Sequence, residues 1–404
     1  MRAEALGRRD LLRGVVSGAI GVSAASYSRV IGANDRIHLG VIGCGSRGLF
    51  LMREFQKHAE VAVTAVCDVY GARTERARAQ SPGAKGFSDY RNLLESKPLD
   101  VVVIATPDHW HARPAIDALN AGFDLYVEKP LTFHIEEGPE IVKAVRVNNR
   151  VCQVGMQQRS GKHYVEAKRE YIDSGRLGKI SHCRTWWHGN RYFLVRAPAS
   201  LQTKPADLDW AQFLGQVRWR DWDPQQYVGW RGYLDFGGGQ ITDLFTHWVD
   251  VVHMFMGQDI PLSADAMGGI YNFKDGRTAP DTINVLLQYP GEFTVTFEGI
   301  LGTGATRGDV EFFGTKGRLS INRERYEYHS EEEAAPPVIV KAPPYDITRD
   351  HVDDFLEALK SRRQPSGDVL KGARSAQAAH LANLAYLRGR RVLFEPVRGE
   401  ALPL

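Results

Sequence analysis

The sequence has few of the features that mark specialised classes of protein. Only four of its 404 residues are cysteines, and they form neither a C-x-x-C pair nor a metal-ligand spacing, so we expect buried thiols at Cys44, Cys67, Cys152 and Cys183. The 51 basic residues nearly balance the 48 acidic ones and form no basic block, so nothing indicates a nucleic-acid partner. There is no internal repeat, and no apolar run is suited to a stable membrane anchor.

The composition and the length of the chain indicate a globular protein of two domains. Apolar residues make up 43% of the chain and charged residues 25%, and 404 residues are too many for one ordinary hydrophobic core. We expect a first domain over 34–155 and a second over 156–390, with a leader at 1–33 and a tail at 391–404.

The leader is interpreted as an export signal and not as part of the fold. Arg8 and Arg9 precede a weakly apolar stretch rich in small residues, Val15 to Ala25, and together they resemble a twin-arginine signal. This pattern predicts recognition by the Tat export machinery and a periplasmic location. An amphipathic N-terminal helix or a disordered tail is the alternative.

A glycine-rich turn follows the first predicted strand. The segment RIHLGVIGCGSRG is apolar and β-branched until it breaks at Gly43, Gly45 and Gly48, and a helix-compatible segment comes next. In a dinucleotide site these glycines would permit the tight turn, the approach of a pyrophosphate and close packing of helix on strand, with the helix N-terminus facing the phosphates. An ordinary strand, turn and helix without a ligand is the alternative.

An acidic residue ends the next predicted strand. Asp68 directly follows the apolar run Val61 to Cys67, where a carboxylate would accept hydrogen bonds from a ribose. A carboxylate also repels a 2′-phosphate, and the next basic residue is Arg73, so NAD is favoured over NADP, although Arg73 could swing across.

Strands and helices alternate through the first domain, which predicts a parallel, doubly wound sheet with ligands at the carboxyl ends of its strands. The predicted strands are 37–42, 61–67, 100–105, 124–128 and 151–155, and the predicted helices are 47–57, 71–80, 89–96, 111–121 and 135–148. After one strand end, Asp108 would cap a helix while His109, Trp110 and His111 face the cleft. After another, Lys129 is a candidate acid or base, because desolvation lowers the pKa of a lysine.

The pattern changes after Gly155 and indicates an α+β domain with a largely antiparallel sheet. Helices are predicted over 156–176, 240–256, 350–362 and 372–389, strands over 180–188, 262–273, 281–288, 292–300, 308–313 and 318–321, and an exposed loop over 331–344. Many aromatic residues lie between Trp186 and Trp248, where they form either a stacking surface for a sugar ring or an ordinary core.

One predicted helix of this domain carries a carboxylate and an imidazole. Asp243 and His247 stand at i and i+4 on one helical face, where the acid would orient the imidazole for proton transfer from a hydroxyl. A structural pair in the core is the alternative. Asp250 and His253 continue near that face, but the spacing is not that of a zinc helix, so no metal is expected.

Taken together, GCGSRG, ATPDHWHA, the EKP tripeptide and GGGQITDLFTHWVD resemble the Gfo/Idh/MocA oxidoreductase family over roughly residues 36 to 390. The resemblance implies a Rossmann domain followed by an open-sheet domain that builds the substrate pocket and often the oligomer interface, hence a homo-oligomer. It places Lys129, Asp243 and His247 on catalytic positions and implies a cis peptide bond before Pro130. The residues then expected at the cofactor are Gly43, Gly45, Ser46, Arg47, Gly48, Asp68, Thr106, Pro107, His109, Trp110, His111, Glu128, Lys129 and Gln157, and those expected at the substrate are Arg159, Tyr164, Asn190, Trp230 and Arg231.

The resemblance implies hydride transfer between NAD and a hydroxyl of a sugar, glycoside or polyol. Since there is no obvious pool of free NAD outside the cytoplasm, an exported enzyme should hold its cofactor tightly and recycle it. Two alternatives stay open: a redox-neutral glycoside hydrolase that oxidises, eliminates, adds water and reduces, and a non-catalytic NAD-binding sensor.

Overall fold

The computed structural model describes residues 36–304, 308–331, 336–395 and 400–403. The leader predicted over 1–33 lies outside these residues. The first domain contains a parallel sheet of six strands in the order β3-β2-β1-β4-β5-β6, which reverses between β1 and β4. The carboxyl ends of these two strands form the point where ligands bind to doubly wound sheets. The strands are β1 (Ile37–Ile42), β2 (Val61–Cys67), β3 (Lys85–Phe87), β4 (Val101–Ile104), β5 (Asp124–Val127) and β6 (Cys152–Val154).

Helices cover both faces of this sheet, as the alternating pattern predicts. They are α1 (Ser46–Gln56), α2 (Gly71–Ala79), α3 (Tyr90–Glu95), α4 (Ala112–Asn120) and α5 (Glu137–Val147). The central strands are buried along their whole length because they carry apolar residues on both faces. All four cysteines are free and buried, as expected.

The second domain is built on a sheet of ten strands, ordered β14-β13-β12-β11-β7-β10-β9-β8-β15-β16. Only the β7 and β10 pair is parallel, so the prediction of a largely antiparallel sheet is confirmed. The strands are β7 (Ile180–His188), β8 (Ser263–Gly269), β9 (Thr282–Tyr289), β10 (Phe293–Ile300), β11 (Gly308–Gly314), β12 (Gly317–Ile321), β13 (Arg325–Ser330), β14 (Val338–Lys341), β15 (Val392–Glu395) and β16 (Glu400–Pro403).

The two ends of this sheet differ from the sequence-based prediction. The exposed loop predicted over 331–344 contains β14, whose Val338 and Ile339 are 42% and 52% exposed. Because β14 is a short edge strand with prolines on both sides, its sequence resembles a loop. Strands β15 and β16 lie within the predicted tail, 391–404, and extend the opposite edge.

The helices of the second domain are α6 (Lys162–Ala167), α7 (Trp210–Leu214), α8 (Pro224–Val228), α9 (Thr246–Met256), α10 (Thr348–Ser361) and α11 (Val369–Arg388). α10 returns to the first domain, where the ring of Phe355 lies 6.0 Å from Phe55 and 5.8 Å from Tyr126. α11 packs on both α5 and β8 and so joins the domains. Among the described residues, no helix has the length and apolar character needed to cross a bilayer.

A strap, residues 205–215, reaches from the second domain to the first. Backbone hydrogen bonds join Gly71 N to Asp207 O at 2.8 Å and Asp209 N to Val69 O at 2.9 Å. Its aromatic residues pack into a small core of their own with the segment that follows. More than half of the aromatic residues between Trp186 and Trp248 are buried in cores, whereas Tyr192 and Trp219 are exposed and Trp187 and Trp230 are among those that stay partly accessible.

Candidate active site

The glycine turn between β1 and α1 has the shape that a bound dinucleotide requires. Gly43 has φ +89°, and a Cβ there would lie 2.7 Å from the Ala105 carbonyl, while a Cβ at Gly48 would lie 1.8 Å from Gly43 O. Both glycines are therefore required by the protein itself. A Cβ at Gly45 would meet only Arg73 Nη1, at 4.0 Å. The space in front of Gly45 is open, which fits the close approach of a ligand.

A cleft begins at this turn and runs along the strand ends. Five of the residues expected at the cofactor line it, together with Arg73 and with Phe213 of the strap: Gly43, Asp68, Thr106, Pro107 and Trp110. Two backbone amides orient the Asp68 carboxylate, Cys44 N at 2.9 Å and Tyr70 N at 3.0 Å. Burial raises the pKa of Asp68, and Arg73 and these amides oppose the rise. The Asp68 carboxylate and the apolar walls of this cleft fit a dinucleotide.

The two histidines beside Trp110 have structural contacts instead of facing this cleft. His109 packs among the rings of Phe133, Phe213 and Phe236, and its Nε2 lies 2.8 Å from Phe213 O. His111 is buried, with its ring nitrogens 2.6 Å from Pro130 O and 2.9 Å from Thr106 O. Both side chains fix the loop after β4, so the prediction that the two imidazoles face the cleft is wrong.

A second group of expected cofactor residues lies on the other side of the glycine turn. Arg47 donates from Nε to Glu128 Oε1 at 2.7 Å, and Gln157 Nε2 lies 3.4 Å from the same oxygen. Ser46 is the exposed first residue of α1. Arg47 Nη2 is buried and has no hydrogen-bond partner among the described residues. A donor in this condition is satisfied when a ligand supplies an acceptor.

Lys129 and Asp243 meet between the domains. Lys129 Nζ donates to Asp243 Oδ1 at 2.7 Å and to Asp243 O at 2.8 Å, and Arg231 Nε lies 3.3 Å from the same carboxylate oxygen. Burial alone would raise the pKa of Asp243, but the charges of Lys129 and Arg231 hold it below its usual range. The Lys129-Pro130 peptide bond is cis, which confirms the expectation.

The expected pair of Asp243 and His247 does not form. Residues 241–245 make a π-helical turn before α9, and such a turn bonds i to i+5, so the i and i+4 positions no longer face each other. Asp243 turns to Lys129 and Arg231, whereas His247 Nε2 lies 3.4 Å from Arg323 Nη2. Burial, followed by the charges of Lys129, Arg323 and Arg47, lowers the pKa of His247 well below its usual value, so its imidazole is neutral.

Two residues of the site are absent from the sequence-based prediction. Asp108 was expected only as a helix cap, but its side chain is buried beside the Lys129 group, where burial and the Asp243 charge raise its pKa to about 7 against Lys129 and Arg231. Arg323 occupies the hairpin turn between β12 and β13, far from every motif. In the sequence, the only feature that indicated Asp108 was its position after the end of a strand, and no feature indicated Arg323.

The residues expected at the substrate divide into two groups. Trp230 and Arg231 lie together at the site, with the guanidinium 4.2 Å from the ring centroid. Tyr164 is buried, and Asn190 accepts from Tyr192 N at 2.9 Å, which caps a short turn. Arg159 does not reach the site, and its predicted role is wrong.

Arg159 is instead ion-paired inside the second domain. Its Nε lies 2.9 Å from both carboxylate oxygens of Asp250, which also accepts from Ser375. His253 bonds Tyr289 through Nε2 at 2.6 Å. In the part of the chain that the structure describes, no group of three or more His, Cys, Asp or Glu side chains could hold a metal ion.

Two family models match the chain. One, described as an oxidoreductase family with an NAD-binding Rossmann fold, covers residues 37–156, and the other, the GFO/IDH/MocA C-terminal domain, covers residues 212–320. The chain belongs to the Gfo/Idh/MocA family. The two matched segments of this family member contain the glycine turn, Lys129, Asp243 and His247.

Curated relatives of this Gfo/Idh/MocA protein resemble it over part of their length. Inositol 2-dehydrogenase of Salmonella paratyphi B is 34% identical over 143 residues, which are 35% of this chain and 42% of the relative. Glycosyl hydrolase family 109 protein 2 of Shewanella sp. strain ANA-3 is 34% identical over 134 residues, 31% of this chain and 29% of the relative. The chain thus matches less than half the length of either relative.

Solved structures resemble the family member over most of its length. Levoglucosan dehydrogenase, in complex with NADH and levoglucosan, has a TM-score of 0.70 at 20% identity, covering 89% of this chain and 99% of that one. This likeness shows the shared fold.

Proposed function

We propose that the protein is an NAD-dependent oxidoreductase that acts on a hydroxyl of a sugar, glycoside or polyol. The observation that carries this proposal is the contact of Lys129 Nζ, from the first domain, with Asp243 Oδ1, from the second, at 2.7 Å and four residues before His247. Dehydrogenation of an alcohol needs a proton acceptor beside its oxygen and a hydride acceptor beside its carbon. The two relatives named as dehydrogenases, of inositol and of levoglucosan, support the same class of reaction.

The cofactor would be held by residues on both sides of the glycine turn. Open space at Gly45 and the amides of the α1 N-terminus suit a pyrophosphate, and Asp68 suits a ribose. When bound, NAD supplies the hydride acceptor, or in its reduced form the hydride donor.

The side chains of the site divide the handling of the proton. His247 is neutral because its pKa is held low, so its Nε2 lone pair can accept the hydroxyl proton once the 3.4 Å contact from Arg323 Nη2 is released. Lys129 holds protons at Nζ, and its two hydrogen bonds to Asp243 leave one N–H for the substrate oxygen. Asp243 therefore orients Lys129 and not the imidazole.

We further propose that the cofactor is tightly bound and recycled in the site. Phe213 of the strap lines the cleft, and its carbonyl accepts a hydrogen bond from Trp110 Nε1 at 2.8 Å, which supports a strap that retains the cofactor. The experiment is to denature the purified protein, quantify the released cofactor, and incubate the native protein with a panel of sugars and aryl glycosides.

Three results are distinguishable. Absorbance of reduced nicotinamide, at one turnover for each bound cofactor, supports the oxidoreductase. Release of the aglycone without net reduction contradicts it and supports the redox-neutral hydrolase, the alternative to which the glycosyl hydrolase of Shewanella is similar in name. A bound cofactor that no compound reduces supports a sensor.

A lysine variant tests the assignment within the site. Lys129→Ala should lower hydride transfer by roughly 10²- to 10⁴-fold and leave NAD bound, because it removes the proton-holding group without touching the glycine turn. Lys57→Ala, at a lysine whose side chain is 60% exposed, is the matched control. Retained turnover in Lys129→Ala would remove this residue from the mechanism.

Export and assembly are also proposals. Arg8 and Arg9, before the weakly apolar stretch, support export of the folded protein to the periplasm by the Tat machinery. The family membership supports assembly as a homo-oligomer. Replacing both arginines by lysine should leave the protein in the cytoplasmic fraction, and unchanged fractionation would contradict the proposal.

A further inference from the structure

Arg323 is a cation held in a fixed position within the site. The backbone of its hairpin turn is closed by Asn322 N donating to Arg325 O at 2.9 Å, and Asn322 Oδ1 accepts from Glu324 N at 2.9 Å. The guanidinium lies 5.2 Å from the centroid of Trp187. Arg323 is exposed to solvent, but enough protein surrounds it for desolvation to lower the pKa of its guanidinium. The turn thus presents a charged planar group to the substrate side of the site.

The other cations of the site already have carboxylate partners. Arg47 pairs with Glu128, and Lys129 and Arg231 share Asp243. Among the described residues, Arg323 has no carboxylate within the 4.0 Å that defines an ion pair. Its one hydrogen bond in the site is the 3.4 Å contact to His247 Nε2, a neutral acceptor. The carboxylates of Asp346 and Glu324 act on Arg323 only from beyond this distance, and a partly desolvated guanidinium with no carboxylate in direct contact can pair with an anion.

The field at the reacting position has the sign that an anion requires. The charges of Lys129, Arg323 and Arg47 all lower the pKa of His247, so cations outweigh carboxylates in the field at this imidazole.

We propose that the substrate is a sugar acid, a uronate or an aldonate, whose carboxylate pairs with Arg323 while one of its hydroxyls lies between Lys129 and His247. This inference rests on the proposed function. A guanidinium matches a carboxylate through two parallel N–H···O bonds, and a tryptophan face can support it. A carboxylate is favoured over a phosphate because Arg47, the neighbouring guanidinium, is already paired with Glu128.

The same pairing would prepare the base. Arg323 Nη2 now occupies the lone pair of His247 Nε2, and a guanidinium can only donate. A substrate carboxylate that takes this N–H leaves the imidazole lone pair free for the hydroxyl proton. Sugar acids should therefore gain in both binding and rate over the corresponding neutral sugars.

The test compares glucuronate with glucose, and galacturonate with galactose, on the cofactor-loaded protein, by calorimetry and by nicotinamide absorbance. We expect each acid to bind about 10- to 100-fold more tightly than its neutral partner, the range for a charge-assisted hydrogen bond, and Arg323→Gln to remove that difference. Arg323→Lys should keep part of it. The matched control is Arg318→Gln, on the same hairpin but facing Glu311 at 3.5 Å, which should keep all of it.

Equal affinity for acids and neutral sugars in the unchanged protein would overturn the proposal, as would an equal loss for both in Arg323→Gln. A clear preference for glucose 6-phosphate over glucuronate would overturn the carboxylate assignment. Arg323-dependent binding of acids without any nicotinamide reduction would support this anion site and contradict the oxidoreductase, so the two failures are distinguishable.

Discussion

Asp108 offers a quantitative test of the electrostatics of the site. Its side chain is buried, and a Cβ built on Gly237 would lie 3.0 Å from its Oδ2, so little room is left for water. Burial, and then the negative charge of Asp243, raise the pKa of Asp108 from 3.8 to about 7 in the folded protein. Asp108→Asn keeps the shape of the side chain and removes its titration.

The sign of the effect follows from linkage. A carboxyl whose pKa is raised on folding stabilises the protein fully below its unfolded value of 3.8, and this contribution is lost as the pH rises through about 7. One pKa unit corresponds to about 1.36 kcal/mol, so the unchanged protein should lose about 3 kcal/mol between about pH 5 and pH 9 through this group alone. The Asp108→Asn variant should not show this loss of unfolding free energy.

The assay is urea unfolding, followed by tryptophan fluorescence, at a series of pH values. The difference in unfolding free energy between Asp108→Asn and the unchanged protein should grow in favour of the variant up to about pH 7 and then become constant. The infrared band of a protonated carboxyl that titrates near this pH should disappear in the variant. Exposed Asp221→Asn is the control. Parallel stability curves for Asp108→Asn and the unchanged protein would refute the reasoning.

Three further predictions test other parts of the structure. Gly48→Ala should lower the melting temperature, because its Cβ would lie 1.8 Å from Gly43 O. Gly45→Ala should leave the melting temperature unchanged and still lose NADH binding, measured by fluorescence. A lower melting temperature with NADH binding kept in Gly45→Ala would contradict the ligand interpretation of the turn. Arg159→Leu should lower the unfolding free energy by about 3–5 kcal/mol, because it leaves Asp250 buried and unpaired. The Arg159→Leu/Asp250→Leu double variant should lose less. If Arg159→Leu changed only the KM for the substrate, Arg159 would be a substrate-binding residue after all. Asp207→Ala removes the carboxylate that accepts a hydrogen bond from Ala72 N at 2.8 Å, and it should speed the release of NADH measured by stopped-flow fluorescence. An unchanged release rate would show that the strap does not retain the cofactor.

The first domain is predictable because its signals are local. Strand periodicity locates β1 and β2, and the turn between β1 and α1 needs glycine for reasons that involve residues within a few positions or on the next strand. The strand β3 escapes prediction because three residues, with a glycine in the middle, leave no period to detect. In the second domain the strands β7 to β12 are predicted, whereas β13 to β16 are not. The edge strand β14 is exposed and so lacks the alternating pattern that burial produces, but β13 lies between β12 and β14 and buries Tyr326 and Tyr328.

The site was only partly predictable. Lys129 and Asp68 could be placed because each directly follows a buried strand, and the carboxyl ends of such strands share one edge of the sheet. The partner of Asp243 could not, since the i and i+4 rule assumes an α-helix and residues 241–245 form a π-helical turn. Arg159 has the same residue type as Arg323, and nothing in the sequence tells which one is paired in the core.

The sequence by itself determined the parallel sheet, the glycine turn and the presence of a lysine, a carboxylate and an imidazole for the reaction, because strand, turn and helix preferences depend on near neighbours. Only the tertiary structure decided which charges meet. Lys129 bonds to Asp243, which lies 114 positions away in the chain, and Arg323 contacts His247, which lies 76 positions away. An ion pair is set by distance in space and by the cost of burying an unpaired charge, and neither quantity exists until the two domains have packed together.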